Sequence, residues 1–320
     1  MFPGHNQSAV PELFLLGFRV LRGSRIVLFT SFLVVYISTI TGNSLIIMLV
    51  SSSHHLHSPM YFFLSHLSLC DVILSSTIVP NLLQVTLHNG RHMTVTECII
   101  QLYFFSFSSV AECFLLTVMS YDRYAAICKP LHYQSIMSFP FSYGLVMFSW
   151  MLGLVIPSII TVLLNQLDFC YSNDIDHFFC DYAPLVQLSC SDTTVIQLVV
   201  YIIATPETVT ETLFIISTYV CIFFAIRRIS STTGKQKAFS TCSSHLAVVC
   251  MYYGTLIGIY IFSSGEHSFS MNKIPSLVYT VVTPLLNPII YTLRNQDIKA
   301  AIKNILGKRR HWEYNTALIT

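Results

Sequence analysis

Seven long apolar runs, at about 25–51, 58–82, 96–128, 140–164, 195–227, 238–263 and 272–293, constrain this chain more than any other feature. A hydrocarbon layer of roughly 30 Å is crossed by about 20 apolar residues in an α-helix. A helix satisfies its own backbone hydrogen bonds, which lipid cannot do for it. Membrane barrels instead need strands of about 10 residues with alternating polarity, and these runs are unbroken. The spacing therefore predicts an all-α bundle of seven transmembrane helices. Only 10% of the 320 residues are charged and 53% are hydrophobic, against about 25% charged in soluble domains. So few charges cannot cover a surface in water. The net charge of +2, with no basic block, gives no reason to expect a nucleic-acid partner.

Residues 1–24 read as an extracellular flank, 25–293 as the membrane domain with a long loop at about 165–194, and 294–320 as an interfacial helix and cytoplasmic tail. The first 20 residues hold Pro3, Pro11 and Glu12 and lack a basic start before an apolar core. No cleavable signal peptide is expected, and the first span would serve as the targeting signal. With the N-terminus outside, twelve of the 17 Lys and Arg fall on the inner side, as the positive-inside rule requires. Arg19, Arg22, Arg25, Arg91 and Lys273 fall outside, so the first helix dissents locally. Asn6, in Asn6-Gln7-Ser8, is a glycosylation acceptor on the outer side in this orientation.

Of ten cysteines, Cys98, Cys170, Cys180 and Cys190 fall on that same outer, oxidising side. Four cysteines allow three connectivities. The reading favoured here pairs Cys98 with Cys180 and Cys170 with Cys190, with Cys170 and Cys190 both free as the alternative.

Asp71, Glu112, Glu207 and Glu211 lie at membrane depth, where a lipid-facing carboxylate costs about 2.5–3.5 kcal/mol. They are expected to face the bundle interior. Glu112, 14 residues after Cys98, falls near mid-bilayer, about 21 Å along the helix. With Asn43 and Asn287 at similar depth, Asp71 and Glu112 can enclose a Na⁺ or share a proton; a neutral pair holding the bundle together is the plain alternative. No other cofactor is expected. Glu207 and Glu211 share a helix face, just after Pro206, which removes a backbone donor. If that face meets the cavity, Glu207 takes a donor or cation on a ligand; otherwise both glutamates serve packing.

Four motifs are more specific: LHSPMYFFL at 56–64, leading to Asp71; MSYDRYAAICKPLHY at 119–133; KAFSTCSSHL at 237–246; and PLLNPIIYTLRN at 284–295. With Gly42-Asn43 and Ser217-Thr218-Tyr219, they resemble the vertebrate odorant receptor family of rhodopsin-like G-protein-coupled receptors, from about residue 12 to 306. Departures are small. Ser120 and Ala125 stand where Ala and Val are usual, and Tyr252-Tyr253-Gly254 replaces Phe-Tyr-Gly. The sixth span lacks the Cys-Trp-x-Pro of most non-odorant relatives.

The resemblance implies a plasma-membrane receptor, not an enzyme, that binds a small, mostly apolar volatile ligand in its outer half. It would activate a heterotrimeric G protein of the stimulatory olfactory type, with cyclic AMP output. Asp122, Arg123 and Tyr124 then form a G-protein switch, joined by Tyr219, His245, Asn287, Pro288 and Tyr291. Pro288 leaves a carbonyl without its donor and permits a kink. Helical phase together with the resemblance nominates Phe105, Ser106, Ser109, Ile203, Glu207, Tyr253, Leu256, Tyr260 and Thr280 as ligand contacts. Ile298, Ala301, Ile302 and Ile305 recur at helical spacing and predict a short eighth helix in the inner interface.

The rivals are a non-odorant receptor of the same fold and a transporter. A transporter would show inverted repeats and broken helices at mid-membrane, and no internal repeat is visible. An intramembrane enzyme would need a second histidine beside His66 and Asp71.

Overall fold

The computed structural model describes residues 12–18, 23–170, 173–262, 268–295 and 297–303. Asn6, Ile305 and the basic cluster 308–310 lie outside the described residues, as does the side chain of Tyr260. Seven long helices follow in order: α1 Arg25–Ser52, α2 Pro59–His88, α3 Val95–Cys128, α4 Phe139–Leu164, α5 Thr194–Arg228, α6 Thr232–Phe262 and α7. The last runs from Ser268–Leu277 through a π-helical turn, Val278–Val282, into Thr283–Arg294. Residues 297–303 form a short α8.

Six of the described helices, α7 through its stretch Lys273–Thr292, are long and apolar enough to cross a membrane. The other, α6, opens on the polar sequence TTGKQK and starts six residues before the apolar run. Its start is set by capping rather than hydropathy. Ser231 Oγ accepts from the Gly234 amide at 3.3 Å, which meets one of the free donors of a first turn, and its carbonyl accepts the first helical bond, from the Lys235 amide at 3.0 Å. Likewise α2 continues to His88, past the apolar run, and stops at Asn89 with φ 56°. Gly90 follows at φ 138°, where a Cβ would lie 2.2 Å from the Phe14 ring. A capping box opens α3: Thr94 Oγ1 accepts from the Glu97 amide, and Glu97 Oε2 accepts from the Thr94 amide at 2.8 Å.

Polarity is distributed inside out. Ile26, Val34, Met151, Leu198 and Phe223 are more than half exposed or nearly so, on the bundle's outer surface. Asn43, Asp71, Glu112, Asp122, His245 and Asn287 are at most 1% exposed. Apolar surface on this scale is not left bare in water, and buried polar groups need partners inside. Lipid outside and a polar seam inside satisfy both demands. Helix α3 lies centrally, against α2, α4, α5 and α6, while α7 closes the ring between α6 and α1. Ile298 and Ala301 of α8 join the core at the end of the bundle that holds Arg123.

The opposite end carries a small sheet that hydropathy did not predict. Strand β1, Glu12–Leu15, pairs antiparallel with β2, Arg91–Thr94, and parallel with β3, Asp174–Ile175. Leu13, Leu15, Met93 and Ile175 turn inward beside Cys98 and Cys180. Cys98–Cys180 and Cys170–Cys190 are bonded, with Cα separations of 5.4 and 5.7 Å. Lys273 ties α7 to this cap, donating to Asp176 at 2.5 Å and to the Gly17 carbonyl at 2.9 Å.

Candidate functional site

At the Arg123 end, the guanidinium pairs with its neighbour Asp122, donating from Nε at 3.1 Å and from a terminal nitrogen. Tyr133, on the connection from α3 to α4, donates to the other carboxylate oxygen at 2.7 Å. Burial and the adjacent Asp122 push the Tyr133 phenol above its ordinary value, so it stays a donor. Asp122 is fully buried and Arg123 is 9% exposed. Tyr133 helps to cover the pair. The Tyr124 ring stacks on Tyr121 instead of joining the pair.

Two contacts span helices at this end. Tyr219 OH and His245 Nδ1 are 2.6 Å apart with stacked rings, linking α5 to α6. Tyr61 OH donates to Asn295 at 2.9 Å and Asp297 at 2.8 Å, fastening α8 to α2. The hydroxyl of Tyr291 is buried without a partner among the described residues. It is a donor waiting for an acceptor.

The middle of the bundle is organised by Pro288. Proline has no amide hydrogen, so the carbonyl four residues earlier, on Pro284, loses its helical donor. Asn43 Nδ2 fills that place at 3.0 Å, and a Cβ on Gly42 would lie 3.1 Å from the Pro288 ring. Asn43 therefore serves Pro284 rather than Asp71. Asn287 Nδ2 reaches both Asp71 oxygens, at 3.1 and 3.0 Å. Glu112 lies within electrostatic range of Asp71 and close to Asn287, with neither oxygen in a hydrogen bond among the described residues. Asn43 Oδ1, Asn287 Oδ1 and Ser75 Oγ are also buried and unpaired among the described residues. Such an all-oxygen set fits a hard monovalent cation or a shared proton. Among the described residues no group of three His, Cys, Asp or Glu can hold a metal ion. His66, the one histidine near Asp71 in sequence, accepts from Trp150 Nε1 at 3.1 Å.

Towards the disulfide end, the nominated ligand residues take different roles. Phe105 packs against Phe179 and Tyr279, with centroids 5.1 and 6.0 Å away. Ser106, Ser109, Ile203, Glu207 and Leu256 are half-buried. Thr280 is fully buried and donates to the Ser276 carbonyl at 2.7 Å. Tyr253 turns to Glu211, donating to Oε2 at 3.3 Å. Glu207, half-buried, lies near Glu211 and Cys113, and Glu211 is 5% exposed with Oε1 unpaired among the described residues.

Sequence reasoning missed the centre of this region. Tyr252 OH meets Cys113 Sγ at 2.8 Å, the Ser109 carbonyl at 3.2 Å and Tyr279 OH at 3.4 Å, joining α3, α6 and α7. The unusual Tyr252-Tyr253 pair was the available signal. Above it, the loop before α5 inserts Phe178 and Phe179, both buried. His177 is stacked on Phe178 and edge-on to Phe179, each 4.6 Å away, with no hydrogen-bond partner for either nitrogen among the described residues. Burial, and secondarily Lys273, push its pKa down to about 3.

Comparison with known proteins agrees with this arrangement. A sequence model of the family described as olfactory receptor matches residues 32–309. Olfactory receptor 11L1 of Homo sapiens is 45% identical over 304 residues, covering 95% of this chain and 94% of that protein. Olfactory receptor 1J1 of Mus musculus is 44% identical over 304 residues, covering 95% and 97%. Olfactory receptor 1E5 of Pan troglodytes is 42% identical over 308 residues, covering 96% and 98%. With seven long helices, six of them apolar enough to cross a membrane, a buried Asp122–Arg123 pair at one end and a disulfide-stapled cap at the other, the chain belongs to the olfactory receptor family, as a multi-pass membrane receptor and not an enzyme.

Proposed function

We propose that this receptor takes a small, mostly apolar odorant on the disulfide side of Tyr252 and relays occupancy to a G protein at the Arg123 end. The observation that carries the reading is the Asp122–Arg123–Tyr133 cluster, with the Tyr219–His245 contact beside it. A buried ion pair costs desolvation that only good geometry offsets, which makes it a two-state element. A ligand with higher affinity for the opened conformer shifts that equilibrium. Opening frees Arg123 and gives the unpaired Tyr291 hydroxyl an acceptor-rich, wetter surround. The G protein is of the stimulatory type with cyclic AMP output, and the amino terminus is extracellular, as the distribution of Lys and Arg supports.

The ligand contacts are Phe105, Ser106, Ser109, Ile203, Glu207, Tyr253, Leu256, Tyr260 and Thr280. Their apolar walls and few hydroxyls suit a volatile molecule. Asp71 and Glu112 hold a Na⁺ in the resting state. Removing Na⁺ in favour of choline should then raise agonist potency in the native receptor and leave Asp71→Asn unaffected; equal potency in both salts supports a shared proton instead.

Screening an odorant panel in cells with a cyclic AMP reporter tests the main reading. At least one odorant should raise cyclic AMP, Arg123→Ala should abolish the response at unchanged surface level, and Glu207→Gln should reorder agonist potencies. A response that survives Arg123→Ala sinks the proposed switch. An antibody tag on the amino terminus should be reached on intact cells.

A further inference from the structure

The first cysteine of the chain is Cys70, so the amino-terminal strap, residues 12–18, joins the outer cap without a disulfide. Its neighbours are fixed. The loop beside it is bonded through Cys98–Cys180 and Cys170–Cys190, and β2 fills the short link between α2 and α3. The strap lies between them, paired with β2 over four residues and with β3 over two. The Leu16 and Gly17 amides donate to the Ile175 and His177 carbonyls, at 2.9 and 3.1 Å. Lys273 clamps the end of the strap to α7, through the Gly17 carbonyl and Asp176. Lys273 is 8% exposed, whereas the Asp176 side chain is 44% exposed. Charge-assisted bonds of this kind are strong, yet water reaches the carboxylate and competes for it. Such a clamp can be released without unfolding the bundle.

What the strap covers leads to the odorant residues. Leu13 and Leu15 are fully buried beside Cys98 and Cys180. Phe18 stacks on Phe178 with centroids 5.5 Å apart, Phe178 meets Phe179 at 5.1 Å, and Phe179 meets Phe105 at 5.1 Å. A column of rings thus runs from the strap to Phe105, one of the proposed odorant contacts. Phe178 and Phe179 are at most 1% exposed, so a ligand arriving from water has to displace something. The strap is the piece with the fewest ties. We propose that it is a lid over the odorant entrance, latched by Lys273. Release of Lys273 lets Leu13, Leu15 and Phe18 lift from a frame that the disulfides keep in place, and bares Phe178. The lid then sets how fast a ligand enters and leaves. This inference rests on the odorant site lying beside Phe105; its test does not.

Cys113 lies about two turns beyond Phe105 on α3 and is partly buried, and Cys128 ends the same helix at the Arg123 end. The test uses the full-length receptor in lipid nanodiscs and trimethylammonioethyl methanethiosulfonate, a fixed cation that bilayers exclude. Labelling of Cys113 is followed by peptide mass spectrometry, with Cys128 as the control. Lys273→Met should speed Cys113 labelling at least tenfold and change Cys128 less than twofold. Phe14 and His92 are partners across β1 and β2, with ring centroids 4.6 Å apart, so Phe14→Cys with His92→Cys can be bonded by oxidation. The oxidised pair should slow Cys113 labelling at least tenfold relative to Phe14→Cys alone, and should cancel the effect of Lys273→Met. Equal Cys113 rates in all forms, acceleration of Cys113 and Cys128 together, or no labelling of Cys113 in any form overturns the proposal. None of these readouts requires an odorant or a G protein, so a failure here is separate from a failure of the odorant reading.

Discussion

Replacing Asp122 by Asn keeps the side chain's shape and removes its charge. In the structure this carboxylate accepts from two Arg123 nitrogens and from Tyr133, at zero exposure. Hydrogen bonds to charged groups contribute about 1.5–3 kcal/mol each, against about 1 for neutral ones. An asparagine can replace part of that with its single acceptor oxygen, so the net loss is about 2 kcal/mol. If the pair exists only in the resting conformer, that loss falls entirely on the resting state. At RT near 0.59 kcal/mol it shifts the resting–active equilibrium about 30-fold, and a basal active fraction of about 1% rises to roughly a quarter. The assay is odorant-free cyclic AMP, normalised to receptor labelled on the cell surface. Asp122→Asn should raise the basal signal well above wild type, and the double variant with Arg123→Ala should return it to silence. A basal signal within twofold of wild type, at equal surface level and with the odorant response retained, would refute the argument that this pair holds the receptor at rest.

Acidification should loosen the loop cap. The folded pKa of His177, about 3, lies below the ordinary 6.5, so the opened loop binds the extra proton, and cap stability is full above pH 6.5 and falls below it by about 1.4 kcal/mol per pH unit. Amide exchange over residues 174–181 should lose about 30-fold protection, or about 2 kcal/mol, by pH 5, and His177→Phe should flatten the profile. Asn43→Ala leaves the Pro284 carbonyl buried without a donor and should cost about 1–3 kcal/mol, seen as a lower melting temperature of the purified receptor; an unchanged value would show that another group fills the place. Gly153→Leu puts a Cβ 2.9 Å from the Phe107 carbonyl, while the Cβ of Gly144→Leu meets nothing within 4 Å. Melting curves should show a loss of about 1–3 kcal/mol for the first and almost none for the second.

Much of this architecture is written in hydropathy, because lipid demands long apolar helices and tolerates few exceptions. The exceptions were therefore readable too: Asp71, Glu112 and Glu211 had to face inward, and they do. Helix ends were less legible. Ser231 starts α6 on polar residues and Asn89 stops α2 beyond its apolar run, and neither choice is made by lipid. The three-stranded cap escaped because strands of two to four residues carry too little alternation to show a period. The long-range partners of Tyr61, Lys273 and Asn43 are separated by 234, 97 and 241 positions, or more, along the chain. Such pairings depend on how the helices rotate in the bundle, which spacing alone does not fix. Placing Asn43 beside Asp71 by depth was reasonable, yet Pro288 creates a stronger demand for its amide. Chemistry at a single residue decided that contact.

In the proposed mechanism a ligand held near the disulfide end controls a G-protein surface at the Arg123 end. Guanine-nucleotide exchange on a purified stimulatory heterotrimer, mixed with receptor in nanodiscs, tests it most directly. Odorant should accelerate exchange saturably in the native receptor and not in Arg123→Ala, although both bind the odorant equally. Saturable odorant binding that leaves the native receptor's exchange rate unchanged would contradict it.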